Sequence, residues 1–349
     1  MKSRAPFPLQ PHHTMATPHQ AAEGVIINDP GQLNALRRYL RDDARPFQVL
    51  GGGSNLFFTE DFPGIVVLNR IESHRVLKDS NGETILELGA GMAWPAVVER
   101  VLADRLYGIE NLALIPGRVG AAPIQNIGAY GIEISERLVH VRAYDLDTGE
   151  WLTFPAEACG LGYRDSIFKH PPWKGRLIIT HAALRLHRRP QPVIRYQALR
   201  TYFSERNITH PTPEQVFRAV VDIRTAKLPD PACLPNAGSF FKNPVVPLAQ
   251  WEALRERRPD IAGWPVEGGM KLAAGWLIEQ AGWKGRRIGG VGTHQRQALV
   301  IINYERRPGR EVAAFAEKVR AAVARRFGVM LEAEVEQVAP PYPRLRPSN

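Results

Sequence analysis

The sequence is poor in cysteine and has no long apolar run, and each shortage excludes a class of protein. Its 349 residues include two cysteines, Cys159 and Cys233, which on their own cannot form a disulfide framework or a four-ligand zinc site. We therefore expect no metal site, and a reducing compartment is indicated. No apolar run approaches the roughly 20 residues that cross a bilayer, so no membrane association is expected.

The N-terminal residues also lack the apolar segment of a secretory signal. Residues 1–20 are rich in Pro, His and polar side chains and contain no acid. We expect the first dozen residues to be a frayed tail. Met1 and Met15 both remain candidates for the first residue of the native protein.

The 35 acidic residues are outnumbered by 45 Lys and Arg residues, which gives a net charge of +10. Such a charge suits either nucleic acid or several phosphorylated small molecules. The basic residues are scattered along the chain, with a concentration of Arg only in the last predicted helix. A scattered distribution is typical of a solvated surface, so nucleic-acid binding is disfavoured.

Strands and helices alternate in the apolar pattern. Before residue 212 the pattern predicts strands at 45–50, 64–70, 84–91 and 176–187, helices at 30–43 and 94–106, and a hairpin over 138–154. Beyond it, Thr212, Pro213 and Gln215 form the capping sequence of a helix over 214–228. Further helices are predicted at 271–282 and 310–327, and further strands at 297–303 and 330–338.

The first candidate binding motif is the turn "GGGSN", residues 51–55. Glycines let backbone N–H groups approach a phosphate closely, although an ordinary turn would also explain this motif. The sequence is not a Rossmann fingerprint, because Ser54 and Asn55 follow Gly53 and no helix begins there. No Walker-type motif occurs in the chain, so a dinucleotide would have to be bound in another way.

The second candidate is the apolar segment 111–131, which six Pro and Gly residues interrupt. No regular helix or strand tolerates so many breakers. The segment is therefore predicted to be an ordered loop whose backbone amides need partners, and a buried cofactor would provide them.

Two short polar motifs complete the candidates, "GYRDSIFK" at 162–169 and "NAGSFFKNP" at 236–244. Arg164 could bind a carboxylate in a bidentate geometry, and Ser239 could present its hydroxyl to a reacting atom. Taken alone, each has a simpler explanation: a surface ion pair for Arg164 and a turn serine for Ser239.

Together these motifs resemble those of UDP-N-acetylenolpyruvoylglucosamine reductases, in the long form of that family. The matching segments occur in the family's order and span residues 50–336: "LGGGSNL", "ENLALIPGRVGAAPIQNIGAYG", "GYRDSIFK", "KLPDP", "NAGSFFKNP", "KLAAGWLIEQ" and "LEAEVE".

The resemblance implies an α+β fold: an FAD-binding two-domain fold of the PCMH or vanillyl-alcohol-oxidase type, plus a C-terminal α/β substrate-binding domain. The implied division is a first FAD-binding subdomain over 1–72 joined by the C-terminal strand 328–349, a second over 73–215, and a substrate-binding domain over 216–327. It also implies a cytoplasmic, monomeric oxidoreductase of peptidoglycan precursor synthesis, and so a role in cell-wall biogenesis, cell shape and cell division.

The implied reaction is the reduction of UDP-N-acetylglucosamine enolpyruvate to UDP-N-acetylmuramate, with FAD as cofactor and NADPH as reductant. A hydride adds at the methylene carbon and leaves carbanion character beside a carboxylate. By resemblance, Arg164 and Glu334 stabilise that carboxylate and Ser239 delivers the proton. Glu334 would then be protonated or share a proton. Strand alternation puts Glu332, Glu334 and Glu336 on one face, and only the family pattern selects Glu334.

The resemblance also carries over contact residues. Those implied for the substrate are Tyr130, Tyr196, Lys227, Asn243 and Gln297. Those implied for FAD are Gly51, Gly52, Gly53, Ser54, Asn55, Ile115, Pro116, Gly117, Ala121, Ala122, Ile124 and Gly128.

Two departures from the family pattern weaken individual contacts. Some relatives have hydroxyl residues where this chain has Ala121 and Ala122, which removes side-chain hydrogen bonds to FAD. A tyrosine that closes over the nucleotide sugar corresponds to Trp264, which keeps stacking but lacks the phenol hydroxyl.

Two other functions stay open at this stage. A flavin oxidase of the same superfamily would act on an alcohol or a sugar lactone, but the usual covalent tether needs a His that neither "GGGSN" nor "IPGRVG" contains. A non-catalytic protein that binds a nucleotide sugar or nucleic acid would be colourless and bind nucleic acid with salt-sensitive affinity.

Overall fold

A computed structural model of the chain describes residues 1–342. Its α-helices are α1 (Leu33–Asp43), α2 (Trp94–Ala103), α3 (Gln197–Ser204), α4 (Pro213–Lys227), α5 (Leu248–Arg257), α6 (Ala274–Gln280) and α7 (Gly309–Phe327). The predicted capping sequence of α4 is confirmed, because the Thr212 hydroxyl accepts the Gln215 backbone N–H while the Gln215 side chain accepts that of Thr212.

The strands are short and numerous. They are β1 (Lys2–Arg4), β2 (Phe7–Pro8), β3 (Gln20–Ile27), β4 (Phe47–Leu50), β5 (Leu56–Phe58), β6 (Phe62–Asn69), β7 (His74–Ser80), β8 (Glu83–Gly89), β9 (Gly128–Ala129), β10 (Ile132–Glu133), β11 (Leu138–Asp145), β12 (Trp151–Pro155), β13 (Leu177–His187), β14 (Asn236–Ser239), β15 (Val245–Val246), β16 (Gly263–Val266), β17 (Gly269–Leu272), β18 (Arg287–Ile288), β19 (Val291–Thr293), β20 (Val300–Asn303) and β21 (Glu336–Val338).

The first sheet is built around parallel strands. Its order is β1-β3-β6-β4, with β2 paired to β3, and β6 runs parallel to both β3 and β4. β6 is a nearly continuous apolar run, as expected for a strand covered on both faces. Helix α1 covers one face with Leu33, Leu36 and Leu40, which repeat at helical spacing.

The second sheet is antiparallel, in the order β12-β11-β13-β8-β7. The predicted hairpin is confirmed in β11 and β12, where the Asp145 carboxylate accepts the Asp147 backbone N–H at 2.8 Å and so fixes the turn. Val98 of α2 and Val220 of α4 are buried in the same hydrophobic cluster as Ala182 of β13. Helix α4 therefore packs against the second sheet, although it follows that sheet in sequence.

The third region contains two small sheets, β14-β20-β19-β18 and β15-β17-β16. Helix α7 buries Val312, Phe315, Val319 and Val323 against Ile301 of β20 and its neighbours. Gly328 ends α7 in the left-handed conformation at φ 66°, as the sequence predicted.

The expectation of a frayed N-terminal tail is wrong. β1 pairs with β3, and Phe7 and Leu9 are buried in a cluster that also contains Val338. The side chain of Met15 lies in the core of the third region. These few apolar residues outweigh the polar composition of the segment, because each removes apolar surface from water.

Two predicted elements have different bounds. The helix predicted over 271–282 begins only at Ala274, because Lys271 pairs with Val245 in a strand. The strand predicted over 330–338 is regular only at its end, where β21 pairs in parallel with β5. Ala333 instead forms an isolated bridge with Phe241, so the chain changes partners between Ala333 and Glu336.

The change of partners breaks the predicted alternation of three glutamates on one face. Glu332 and Glu336 are exposed, whereas the Glu334 side chain is only 13% exposed. Residues 343–349, the end of the predicted range 328–349, lie outside the described residues.

Candidate active site

One cavity, with a volume of about 190 Å³, lies where the glycine turn, the 111–131 loop, α4 and β14 meet. The three candidate catalytic residues, Arg164, Ser239 and Glu334, all line it. The rest of the wall is formed by Ser54, Asn55, Trp94, Ile115, Pro116, Gly117, Arg118, Ala121, Ala122, Gln125, Ile127, Gly128, Arg224, Leu228, Ala237 and Gly238.

The glycine turn after β4 is pressed against the second loop. A Cβ on Gly52 would lie 2.8 Å from Gly117 Cα, and one on Gly53 would lie 2.2 Å from the His12 carbonyl oxygen. Gly53 also has φ +59°, which favours glycine. The Ser54 hydroxyl donates to the Pro116 carbonyl at 3.0 Å. The glycines at these positions therefore bring two backbones together at the rim of the cavity.

The segment 111–131 is an ordered loop, as predicted. The Trp94 backbone N–H donates to the Gly117 carbonyl at 3.0 Å, and the Val119 N–H donates to the Met92 carbonyl at 3.0 Å. The Trp94 indole N–H donates to the Leu112 carbonyl at 3.0 Å. Its backbone groups thus find partners at the first residue of α2 and in the chain just before that helix.

Arg164 and Glu334 are in direct contact although 170 positions separate them in the sequence. Arg164 Nε lies 3.0 Å from Glu334 Oε1, and Arg164 Nη2 donates to the Gly128 carbonyl at 3.0 Å. Arg164 has φ 55°, an unusual backbone conformation for a residue other than glycine. Such strain is often found at functional sites.

The surroundings of Glu334 favour its protonated form. Burial raises the pKa of the Glu334 carboxyl above its ordinary value, while Arg164 and Lys169 oppose the rise. Lys169 is itself partly buried, which lowers its pKa, and its ammonium donates to the Arg164 carbonyl at 3.0 Å. A carboxyl with a raised pKa can donate a hydrogen bond to an anion.

Backbone pairing fixes Ser239 beside Glu334. Ser239 ends β14 and pairs with Val300, and Gly238 before it has φ +72°. The next residue, Phe240, accepts the Glu334 backbone N–H at 2.8 Å. The serine and the glutamate therefore lie on segments joined by a hydrogen bond, and both face the cavity.

Sequence reasoning missed Arg224, which lines the cavity from α4. Burial lowers the pKa of its guanidinium, and the Arg224 side chain has no hydrogen-bond or salt-bridge partner within residues 1–342. A signal was present, because Arg224 continues the four-residue spacing of the buried Val216 and Val220. A cation on the apolar face of a helix is rare without a buried partner or a ligand.

The candidate substrate contacts lie outside the wall of the cavity. The rings of Tyr130 and Tyr196 meet edge to face with 5.4 Å between centroids, and Tyr196 is half exposed. Lys227 is exposed at the end of α4. Oδ1 of the Asn243 side chain accepts the Ala274 backbone N–H at 3.0 Å, and Oε1 of the Gln297 side chain accepts the Leu299 backbone N–H at 3.4 Å.

Eight of the twelve candidate cofactor contacts line the cavity: Ser54, Asn55, Ile115, Pro116, Gly117, Ala121, Ala122 and Gly128. Gly51, Gly52, Gly53 and Ile124 are not part of this wall. Trp264 is 43% exposed on the β16–β17 hairpin, and Lys271 of the same hairpin lies 3.5 Å from the Tyr163 ring centroid.

The part of the chain that the structure describes has neither a candidate metal site nor a membrane-spanning helix. No group of three or more His, Cys, Asp or Glu side chains is placed to hold a metal ion. No helix in this part of the chain combines the length and the apolar character needed to cross a membrane.

Comparisons with known proteins agree with this architecture. Residues 24–155 match the family model of an FAD binding domain, and residues 230–338 match that of the UDP-N-acetylenolpyruvoylglucosamine reductase C-terminal domain. The fold class expected from the sequence is thereby confirmed.

Full-length relatives are also similar. The UDP-N-acetylenolpyruvoylglucosamine reductase of Chromobacterium violaceum is 46% identical over 96% of this chain and 98% of its own. That of Burkholderia pseudomallei is 47% identical over 94% and 95%. A crystal structure of the Thermus caldophilus enzyme, 24% identical, covers 96% of this chain and 98% of its own with a TM-score of 0.65.

Proposed function

Because the chain belongs to the UDP-N-acetylenolpyruvoylglucosamine reductase family, we propose that Arg164, Ser239 and Glu334 carry out its reaction. The chain is an FAD-dependent oxidoreductase that uses NADPH to reduce UDP-N-acetylglucosamine enolpyruvate to UDP-N-acetylmuramate, a step of peptidoglycan precursor synthesis. The observation that carries the proposal is the single cavity into which these three side chains project.

The cavity suits FAD in shape and charge. Trp94, Ile115 and Ile127 form an apolar wall, which suits a planar ring system. The close packing of Gly52 against Gly117 holds the glycine turn beside the second loop at the cavity, and the partly buried Arg224 suits an anionic group. When bound, FAD supplies the chemistry of hydride transfer from NADPH to the substrate.

Arg164 and Glu334 together bind the substrate carboxylate. Nε and Nη2 of Arg164 already contact Glu334 and the Gly128 carbonyl, which leaves Nη1 for the substrate. A protonated Glu334 provides a second hydrogen-bond donor where an ionised one would repel the carboxylate. As the double bond is reduced, negative charge moves toward this carboxylate, and the two preorganised donors stabilise it.

Ser239 donates the proton that completes the reduction, at the carbon beside the carboxylate. A serine hydroxyl is a weak acid, so the step requires the basic, carbanion-like character that develops at this carbon. The left-handed Gly238 and the Phe240–Glu334 hydrogen bond hold the hydroxyl at a fixed place in the cavity.

Tyr130, Tyr196, Lys227, Asn243 and Gln297 bind the UDP-sugar part of the substrate, and the FAD contacts are those expected from the sequence. Lys227 follows Arg224 by three positions on α4, so one helix carries cations from the cavity toward its exposed end. We also infer the division into 1–72 with 328–349, 73–215 and 216–327, which the separate sheets support, except that the packing of α4 on the second sheet places that helix with the second subdomain.

The chain acts as a cytoplasmic monomer that does not bind nucleic acid. Neither Cys159 nor Cys233 is paired, which suits a reducing compartment. Residues of one chain suffice to form the cavity. Several of the arginines in and beside α7 are engaged by neighbouring acids, such as Arg307 by Glu311 and Arg320 by Glu317, which argues against a free basic surface.

Ser239→Ala tests the proposal by separating the two half-reactions. We expect flavin reduction by NADPH to be retained, and flavin reoxidation by the enolpyruvyl substrate to slow by about 10²- to 10⁴-fold. Anaerobic stopped-flow absorbance measures both rates, with Ser204→Ala on the exposed end of α3 as the matched control. Equal losses in both half-reactions would refute the role of Ser239.

A further inference from the structure

Arg118 is a cation that the reaction described above does not use, and it lies at the edge of the cofactor cavity. It follows Gly117 in the second loop, and its Cβ would lie 3.7 Å from a Cβ placed on Gly51. Its Nη1 donates to the Gly91 carbonyl and lies 3.6 Å from Glu72 Oε1. Within residues 1–342, Nε and Nη2 of Arg118 have no hydrogen-bond partner.

A second guanidinium lies on the other side of the same glycine turn. Arg70 Nη1 donates to the Gly51 carbonyl at 2.8 Å and to the Asn69 carbonyl at 3.1 Å. Burial and repulsion from Arg118 lower the pKa of Arg70 to about 10. The turn is therefore flanked by two partly desolvated cations.

The negative charge near Arg70 and Arg118 is too small to offset the cost of burying them. Glu72 is the carboxylate that faces both of them, and its side chain is 63% exposed. An exposed carboxylate offsets little of the cost of desolvating two guanidiniums. An anion bound in the cavity beside Arg118 would remove this imbalance.

We propose that Arg118 binds the diphosphate of FAD and supplies the side-chain contact that Ala121 and Ala122 cannot make. This inference rests on the proposed function. The diphosphate is the anionic part of FAD, and a guanidinium binds phosphate oxygens through two parallel N–H groups. Both alanines line the same cavity as Arg118, so its free Nε and Nη2 replace hydroxyl donors that the loop lacks.

The test is FAD affinity in full-length apoprotein, measured by quenching of flavin fluorescence. We expect Arg118→Gln to weaken FAD binding by about tenfold or more, because the amide can still donate to the Gly91 carbonyl but carries no charge. Arg118→Lys should lie between Gln and wild type. Arg100→Ala removes an exposed cation from α2 and is the matched control.

Apoprotein stability distinguishes ligand binding from a purely structural role. We expect Arg118→Gln to leave the melting temperature of the apoprotein unchanged or to raise it, since one of two repelling cations is neutralised. A fall in both melting temperature and FAD affinity would make Arg118 a structural tie and overturn the proposal, as would unchanged FAD affinity.

A second variant tests whether Arg118 takes over the role of the hydroxyl groups that the loop lacks. Ala121→Ser in the Arg118→Gln background should recover part of the lost affinity, and no recovery would count against the replacement. Failure of the proposed function is distinguishable, because wild-type apoprotein would then not bind FAD at all.

Discussion

At the scale of single residues, the proposed carboxylate-binding step depends on the proton of Glu334. Its pKa is raised by burial, and Arg164 and Lys169 only partly oppose this rise. A carboxyl with a raised pKa keeps its proton at low pH and loses it as the pH rises through that value. The proposed donor is therefore present on the acidic side of the raised pKa and absent on the alkaline side.

We predict that the rate of flavin reoxidation by substrate falls as the pH rises through the raised pKa of Glu334. Glu334→Gln keeps a neutral donor, so it should be slower than wild type but should lose this alkaline decline. Single-turnover stopped-flow measurements across a pH series check both points, with flavin reduction by NADPH as the internal control. An unchanged alkaline decline in Glu334→Gln would assign the titration to another group.

The meeting of the three catalytic candidates at one cavity could be predicted because each lies in a long motif, whereas the places of Arg118 and Arg224 in that wall could not. The catalytic roles stay predictions. The significance of these two arginines comes from desolvation by segments distant in sequence, and no local pattern encodes that. The pattern that could have pointed to Arg224, its spacing from Val216 and Val220, is also compatible with an exposed residue at a helix end. The roles of the five substrate contacts stay predictions.

At the scale of elements, the N-terminal segment joins the glycine turn to the serine strand. The Thr14 backbone N–H donates to the Gly53 carbonyl at 3.0 Å, and the Thr14 carbonyl accepts the Asn236 N–H at 3.0 Å. Asn303 also donates to the Met15 carbonyl at 3.2 Å. A segment with the composition of a tail thus links the proposed cofactor loop to β14.

We predict that Leu9→Ala lowers the free energy of unfolding by about 2–4 kcal/mol, because Leu9 is fully buried. Urea unfolding of the apoprotein, followed by circular dichroism, measures the change. Arg4→Ala, at an exposed residue of β1, is the control and should stay close to wild type. Equal stabilities of the two variants would show that the segment contributes no packing and is a tail after all.

Elements with local signals were predicted from sequence, and elements set by distant partners were not. The α4 cap and the Gly328 end of α7 depend on side chains within a few positions. The strand expected over 330–338 depends on two distant partners. Phe241 pairs with Ala333, and β5 pairs with Glu336–Val338, so the segment is not one regular strand. The β16–β17 hairpin was also missed. Its second strand includes Lys271 and Leu272, which the helical pattern assigned to the helix over 271–282.

At the scale of the whole molecule, the cavity is closed by segments from both ends of the chain. β21 pairs in parallel with β5, directly after the glycine turn, and the Asn55 side chain donates to the Glu334 carbonyl at 2.9 Å. The cavity therefore exists only when the first sheet, the second loop and the C-terminal strand are folded together. A ligand that fills it binds the folded chain and not the unfolded one.

We predict that FAD stabilises the protein by mass action and that the close backbone contact at Gly52 is required for this effect. At a free FAD concentration 100 times the dissociation constant, the free energy of unfolding should rise by about 2.7 kcal/mol.

In Gly52→Ala, the added methyl group would lie 2.8 Å from Gly117 Cα, so the two loops must separate and the FAD-dependent stabilisation should shrink. Thermal unfolding of apoprotein over a range of FAD concentrations measures both shifts. An equal rise of the melting temperature in Gly52→Ala and wild type would show that the glycine turn tolerates the extra atom. The cofactor would then not bind against this turn.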